Sequence, residues 1–250
     1  TVRLWLLSCD NSSATCVATL EGHSGPVRSV TFHPTAPLMA TGSWDNTVRL
    51  WLLSCDNSSA TCVATLVDHR AIVHSVAFHP TAQLLATGSY DCTVRLWLLS
   101  CDNSSATCVA TLEGHSGPVQ SVAFHPTAPL LATGSDDNTV RLWLLSCDNS
   151  SATCVATLAG HSGCVNFVAF HPTAPLLATG SDDNTVRLWL LSCDNSSATC
   201  VATLAGHSGC VNFVAFHPTA PLLATGSDDN TVRLWLLSCD NSSATCVATL

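Results

Sequence analysis

The chain has no lysine, and charged residues make up only 10% of its 250 residues. Six of its eight arginines stand at one place in a repeated TVRLW segment, so they form no basic cluster. Proteins that hold nucleic acid through its phosphates need such a cluster. The sequence therefore predicts no nucleic-acid partner, and the formal net charge of −9 favours a cationic partner instead.

Long apolar stretches are also absent. No uninterrupted apolar run approaches the roughly 20 residues that cross a membrane as a helix. No basic segment followed by an apolar one stands at the N-terminus. We therefore expect no membrane association and a cytoplasmic location.

Repetition is what the sequence does have. The segment TVRLWLLSCDNSSATCVATL occurs six times without change, and its copies begin 46 residues apart. Five similar segments of 26 residues separate the copies. A period of this length is typical of a four-stranded propeller blade or of a helical repeat, and in both each unit buries its apolar face against its neighbours.

The apolar pattern inside one unit has a period of two residues. Pro, Gly, Asn and Asp separate short stretches that are rich in apolar and β-branched residues. In the first unit these stretches are residues 27–32, 37–43, 47–53 and 60–66. Such a pattern predicts an antiparallel meander, and no window supports an amphipathic helix of useful length. The predicted fold class is all-β.

Three segments of this unit resemble the WD-repeat (WD40) family: GHSGPVRSVTFHP, LMATGSWDNTVRLW and CVATLVDH. The resemblance extends over nearly the whole chain. It departs where Trp-Leu replaces the Trp-Asp of many members, and at 67–70 of the second unit. It implies a β-propeller of four-stranded antiparallel blades around a central channel. One propeller domain would then contain a surplus half-blade at 1–20 and five full blades at 21–66, 67–112, 113–158, 159–204 and 205–250.

The two ends of the chain raise a question of closure. Residues 1–20 and 231–250 are identical, so they compete for one place in a closed ring. The first segment displaces the last, or two chains exchange half-blades and form a homo-oligomer, or the chain is part of a longer array. A ring of this family usually has seven blades, which favours the last two arrangements.

The resemblance also implies a structural hydrogen-bond relay in each blade. A tryptophan indole can only donate and a carboxylate can only accept, so a hydroxyl and an imidazole must link them. Thr41 is favoured over Ser43 as the hydroxyl because it lies diagonally opposite Trp51 on neighbouring strands. The relay residues of the five blades are His23, Thr41, Asp45 and Trp51; His69, Thr87, Asp91 and Trp97; His115, Thr133, Asp137 and Trp143; His161, Thr179, Asp183 and Trp189; His207, Thr225, Asp229 and Trp235.

Catalysis is not expected, although each unit contains Ser, His and Asp, the ingredients of a hydrolase triad. Five equivalent triads would be unusual, whereas five structural relays are not. The chain has no Gly-x-Ser-x-Gly motif and no glycine loop for phosphates. Histidines and cysteines within one unit do not have structural-zinc spacing. The sequence predicts no catalytic residue, no metal and no cofactor.

A few positions differ between otherwise constant repeats. The resemblance places two of them on one face of the propeller, around the channel mouth. Their residues are Arg28, His74, Gln120, Asn166 and Asn212 after the first valine of each blade, and Trp44, Tyr90, Asp136, Asp182 and Asp228 before the relay aspartate. The SCDNSS loop never varies. The contrast between these variable positions and the constant SCDNSS loop favours a recognition surface over drift.

The predicted function is a non-enzymatic scaffold that binds a protein or peptide at this variable face, with a basic partner favoured. The alternative is a symmetric, self-assembling propeller, amplified or designed, that has no specific ligand. A lectin-like sugar binder is a third interpretation, but only two aromatic residues, Trp44 and Tyr90, stand at the variable positions.

Cysteine is abundant, with fifteen residues, and twelve of them are copies of the pair Cys9 and Cys16. A disulfide between two strands of a hairpin is conceivable for such a pair. In the absence of a secretion signal, reduced thiols packed as small buried apolar side chains are favoured.

Overall fold

The computed structural model describes all 250 residues, which form 22 β-strands and no helix. The strands build one two-stranded sheet and five four-stranded sheets, all antiparallel. Since the chain contains no helix, it has none that could cross a membrane. The prediction of an all-β propeller with five full blades and a half-blade is confirmed.

The half-blade consists of β1 (Val2–Leu7) and β2 (Ala14–Leu20). Each full blade takes four consecutive strands that lie side by side in chain order. These strands are β3 (Val27–Phe32), β4 (Leu38–Ser43), β5 (Val48–Leu53) and β6 (Ala60–Leu66); β7 (Val73–Phe78), β8 (Leu84–Ser89), β9 (Val94–Leu99) and β10 (Ala106–Leu112); β11 (Val119–Phe124), β12 (Leu130–Ser135), β13 (Val140–Leu145) and β14 (Ala152–Leu158); β15 (Val165–Phe170), β16 (Leu176–Ser181), β17 (Val186–Leu191) and β18 (Ala198–Leu204); β19 (Val211–Phe216), β20 (Leu222–Ser227), β21 (Val232–Leu237) and β22 (Ala244–Thr249).

Turn residues set the register inside each blade. In the third blade, Asn138 and Asn149 adopt left-handed backbone conformations with φ of 67° and 56°. Asparagine tolerates this conformation better than most residues do. Between these two turns, the pairing of β13 with β14 shifts register between Leu142 and Trp143. The same turns recur in the other blades, and Cys92 takes the asparagine position in one of them with φ of 66°.

Each blade buries one apolar face against the next blade. The innermost strands β3, β7, β11, β15 and β19 pack against one another in succession. At one such interface, Leu130, Ala132 and Leu142 of the third blade meet Val165 and Trp189 of the fourth. All five side chains are buried. Full burial of a large apolar side chain contributes roughly 1.5–3 kcal/mol, so these interfaces hold the array together.

The array does not close into a ring. No comparable packing joins β19 to β1 or β3. On one side this leaves Val30 and Phe32 exposed, at 52% and 58%, although the equivalent Val76 and Phe78 are buried. We call Val30, Phe32 and Trp5 the N-terminal open face.

The other end of the array has its own uncovered surface. Val232 of the fifth blade is 41% exposed, whereas Val186 at the same place in the fourth blade is fully buried. Leu222 and Ala224 are only half-buried there. We call Leu222, Ala224 and Val232 the C-terminal open face.

Both identical end segments have a place in this open array. The half-blade β1–β2 packs on the first full blade, where Leu4 and Leu20 meet Met39 and Trp51. Residues 231–250 supply β21 and β22 of the fifth blade. Of the three arrangements that the sequence left open, displacement of the last segment by the first within one chain is not the one in this structure.

The cysteines are not buried, contrary to expectation. All fifteen are free thiols, and none is fully enclosed. Cys154 belongs to β14, the outermost strand of its blade, where an edge leaves side chains open to solvent. Its Sγ lies 3.6 Å from Nη1 of Arg141, which is a polar setting.

Candidate functional site

The relay residues of each blade come together in one hydrogen-bonded chain. In the third blade, Trp143 donates its indole N–H to Thr133 Oγ1 over 2.9 Å. Thr133 Oγ1 lies 2.7 Å from Nε2 of His115, and Nδ1 of His115 lies 2.7 Å from Asp137 Oδ2. The other four blades repeat the arrangement with distances of 2.6–2.9 Å. The structure thus brings together all four predicted relay residues in every full blade.

The chemistry of these groups fixes the direction of the chain. Asp137 can only accept, so Nδ1 of His115 carries a proton. Burial lowers the pKa of His115, although the neighbouring carboxylate opposes this. The imidazole is therefore neutral, and its Nε2 accepts the hydroxyl proton of Thr133. Burial alone would raise the pKa of Asp137, but hydrogen bonds from Thr139 and His115 outweigh it and hold the pKa below its ordinary value.

The sequence interpretation missed one further relay member. Thr139 donates its hydroxyl to Asp137 Oδ1 over 2.6 Å, and its backbone N–H donates to the same oxygen. The invariant TVRLW segment contains this threonine in every copy, so the signal was present. Ser135, the equivalent of the rejected Ser43, instead donates to the carbonyl of Gly117 over 2.9 Å. It makes no bond to the histidine, so the Ser, His and Asp of a blade are not arranged as a triad.

The variable residues lie at the starts of the inner strands and in the turns beside them. In the first blade, the turn residue Trp44 donates its backbone N–H to the carbonyl of Pro26 over 2.9 Å, which holds the turn beside the start of β3. A cavity of about 830 Å³ opens among these strands. We call it the mouth cavity, and eight of the ten predicted rim residues line it: Arg28, His74, Tyr90, Gln120, Asp136, Asn166, Asp182 and Asn212.

The remaining two rim residues lie beside the mouth cavity. The guanidinium carbon of Arg28 lies 5.9 Å from the centre of the Trp44 ring, within range of a cation–π interaction. Asp228 accepts a short hydrogen bond from the side-chain amide of Asn212. Both predicted residues thus contact a residue that lines the cavity.

Three amide–carboxylate pairs form one side of the mouth. Gln120 donates its amide to Asp136 over 2.7 Å, and Asn166 donates to Asp182 over 2.6 Å. The third pair is that of Asn212 with Asp228. In each pair the amide holds Oδ1 of the aspartate, and no hydrogen bond within the chain engages Oδ2. This side of the mouth therefore presents fixed acceptor oxygens.

A different group of residues forms the opposite side. His74 donates from Nδ1 to the backbone carbonyl of Gln120 over 2.9 Å, so its Nε2 accepts from Arg28 Nη2, also over 2.9 Å. The imidazole stacks on Tyr90 with ring centres 5.5 Å apart. Burial lowers the pKa of His74, and the charge of Arg28 adds to this effect. This side is cationic and aromatic.

The other residues that line the mouth cavity, which were not predicted as site residues, include Cys164, Phe167 and Phe213. The two phenylalanine rings lie 5.4 Å apart, and Phe213 is 64% exposed. Burial and nearby aspartates raise the pKa of the Cys164 thiol to about 11, so it stays protonated. The sequence signal for the two phenylalanines was a change from serine to phenylalanine between otherwise constant repeats.

The arrangement can hold a ligand by hydrogen bonds, charge and apolar contact. A segment rich in donors fits the carboxylate side, and Phe213 offers apolar surface near it. No group of three or more His, Cys, Asp or Glu residues is placed to bind a metal ion.

Comparison with known proteins agrees with the geometry. A family model described as "WD domain, G-beta repeat" matches residues 14–51, 60–97, 106–143, 152–189 and 198–235, which cover more than half of the chain. No curated protein matches the sequence. Proteins with these repeats are generally non-catalytic scaffolds for interaction with other proteins. The chain belongs to the WD40 family.

Proposed function

We propose that this chain is a non-enzymatic scaffold that binds a protein or peptide in the mouth cavity, and that the bound segment carries arginine or lysine. The observation that supports this most directly is the row of three amide–carboxylate pairs. Each pair holds one carboxylate oxygen in place and leaves the other available to a donor. A guanidinium has five N–H donors in a planar fork and suits such acceptors.

Magnitudes favour a shared effect of the three carboxylates. One exposed ion pair contributes about 0–1 kcal/mol. Three carboxylates along one side of a cavity act together, and their amide partners reduce the ordering cost because the side chains are already fixed. Arg28 would repel a cation, so the ligand cation should lie near Asp182 rather than near His74.

The test is a screen of peptide arrays with the parent chain and two triple variants. In the first variant, Asp136, Asp182 and Asp228 are changed to Asn, which keeps an acceptor for each amide but removes the charge. The matched control changes Asp102, Asp148 and Asp194 of the SCDNSS loops to Asn, so the net charge changes equally on the opposite face.

We expect basic peptides to be enriched on the parent and on the control. Binding to the first variant should weaken about ten- to hundredfold, which corresponds to about 1.4–2.8 kcal/mol. Equal binding to all three chains, or no enrichment of basic peptides on the parent, would contradict the proposal.

A second proposed function, self-assembly, is favoured by the two open faces. These faces expose apolar side chains whose counterparts in the middle of the array are buried. Exposed apolar surface of this kind is typical of interaction sites. Homo-oligomers of the chain should then be measurable by light scattering as a mass that increases with concentration, and a mass fixed at 26.1 kDa would contradict this function.

We also propose a cytoplasmic location, because a reducing compartment suits fifteen thiols that are all accessible to some degree. Nucleic acid and membranes remain unexpected partners, since the formal net charge is −9 and no lysine is present. Alkylation of thiols in cells that express the chain tests the cytoplasmic location. Extensive protection from alkylation, reversed by a reductant, would contradict it.

A further inference from the structure

Each of the two identical end segments lacks a neighbouring blade on one side, and the side differs between them. Residues 1–20 pack on the first full blade but have no blade on their other side, where Trp5 is 54% exposed. Residues 231–250 pack on the fourth blade through Trp235 and Leu237, and their other side is open at Val232. Each segment therefore has the neighbour that the other one lacks.

We propose that copies of this chain join head to tail by strand exchange, with residues 1–20 of one copy taking the place of residues 231–250 in the next. This inference rests on the self-assembly proposed above and assigns its mechanism and its partner, a second copy of this chain. Strands β19 and β20 of one copy and β1 and β2 of the other would form one hybrid blade.

The sequence makes the exchanged pairing equivalent to the original pairing. Strand β20 now pairs with β21 in a register that places Leu223 opposite Trp235 and Gly226 opposite Val232. Because residues 1–20 repeat residues 231–250 without change, β1 offers the same side chains in the same order. The backbone hydrogen bonds between β20 and β21 are thus replaced by equivalent bonds between β20 and β1. The edge of β1 that would pair with β20 has no partner strand in the single chain.

Packing favours the hybrid blade. In the single chain, residues 1–20 and residues 231–250 each have a neighbouring blade on one side only. In the hybrid blade, residues 1–20 have a neighbour on both sides, and two surfaces that were open become buried. The first is Val30 and Phe32 of one copy, and the second is Leu222 and Ala224 of the other.

The relay supports the same arrangement. Trp5 is a copy of the relay tryptophan, but its indole N–H has no threonine acceptor within the half-blade. Trp235 now donates to Thr225 over 2.9 Å in the fifth blade. In the hybrid blade Trp5 takes the place of Trp235, so its indole N–H gains Thr225 of the next copy as acceptor. The displaced residues 231–250 regain conformational freedom, which partly offsets the loss of their contacts.

This contact is heterologous, because the surface on one copy differs from the surface on the other. Each joined copy still has one free end of each kind, so association can continue. The expected species are a series of masses that rises with concentration rather than a single dimer.

The first experiment compares two substitutions in the identical segments of the full chain, Val2→Glu and Val232→Glu. Val2 is half-buried in the single chain and would become fully enclosed in the hybrid blade, as Val186 is within the array. Val2→Glu should therefore reduce the chain to its monomer mass. Val232 lies in the segment that leaves, so Val232→Glu should preserve association or strengthen it.

A third variant, Gly226→Ala, leaves the sequence of the half-blade unchanged. Its added Cβ would meet nothing closer than 3.9 Å in the single chain. At the equivalent Gly42, the Cβ would meet Val73 of the following blade at 2.9 Å. Gly226→Ala should therefore fold normally and lose association, because Val27 of the next copy would occupy the place of that valine.

The control is Leu144→Glu, since Leu144 is an exposed side chain in the middle of the array, away from both open faces. It should associate as the parent does. A monomeric parent overturns both self-assembly and exchange. A parent whose association is abolished by Val232→Glu, or is insensitive to both Val2→Glu and Gly226→Ala, overturns exchange and leaves self-assembly standing.

Discussion

Ser121 of the third blade accepts the backbone N–H of Val168 in the fourth blade over 3.2 Å. The same bond joins the first blade to the second and the second to the third, through Ser29 and Ser75. Phe167 occupies the serine position in the fourth blade, so the contact with the fifth blade lacks this bond. The substitution that adds an aromatic side chain to the mouth cavity thus removes a polar link between blades.

This link should contribute to stability. We expect Ser121→Ala to lower the free energy of unfolding by about 1–3 kcal/mol, because it leaves the buried N–H of Val168 without an acceptor. The control is Ser162→Ala, in which the lost side chain is exposed. Urea unfolding of both variants checks the difference, and equal midpoints would contradict the role of Ser121.

The relay carboxylate should matter more than other carboxylates of its blade. Asp137→Ala should lower the free energy of unfolding by about 1–3 kcal/mol, because His115 loses the acceptor of its Nδ1 proton in a buried site. Glu113→Ala removes an exposed carboxylate from the same blade and should stay within about 0.5 kcal/mol of the parent. Denaturant midpoints measure the stability of both variants against the parent. If the two variants are equally stable, the relay is not a stabilising element.

The fold could be predicted from the sequence because every level of the pattern agrees. The period of two, the turn residues and the repeat length all indicate one blade, and the diagonal position of Thr41 identified the hydroxyl that the structure places beside Trp51. The open ring could not be predicted. Repeats with the same sequence carry no information on whether a neighbour is present, so Val30 and Val76 look alike in the sequence and differ only in the structure.

The chemistry of the mouth was also only partly predictable. The variation between repeats identified Asp136 and Gln120 as rim residues, but not that the amide of one holds the carboxylate of the other. That pairing depends on the turn folding back beside the strand start. The sequence showed that position 213 varies between repeats. It did not show that the Phe213 side chain points into the mouth cavity.

Acid should destabilise the fold in a defined pH window. Burial lowers the pKa of eight histidines: His23, His33, His74, His79, His115, His125, His161 and His171. Their folded pKa lies below the unfolded value of about 6.5, so the unfolded chain binds more protons below that pH. Stability is therefore complete above about pH 6.5 and decreases as the pH falls through the lowered values.

Urea midpoints over a pH series measure this effect. A control variant is His125→Asn, because Nδ1 of His125 accepts the N–H groups of Thr127 and Ala128 and an asparagine oxygen can replace it without titrating. We expect a constant midpoint above about pH 7, a decline below about 6.5, and a shallower decline in the variant. A midpoint that rises on acidification would contradict the sign.

A single glycine position should report whether a neighbouring blade is present. A Cβ built on Gly134 would stand 2.8 Å from Cγ1 of Val165 and 3.0 Å from its backbone oxygen. The next blade can relieve such contacts only by moving its backbone, so Gly134→Ala should cost about 1–3 kcal/mol. At Gly226 the nearest atom is Cβ of Phe213, 3.9 Å away. In dilute, unassociated chains Gly226→Ala should be neutral or stabilise by about 0.4–1 kcal/mol, because it restricts only the unfolded state. Denaturant unfolding of the two variants measures the contrast, and an equal loss of stability in both would show that the face at Gly226 is covered.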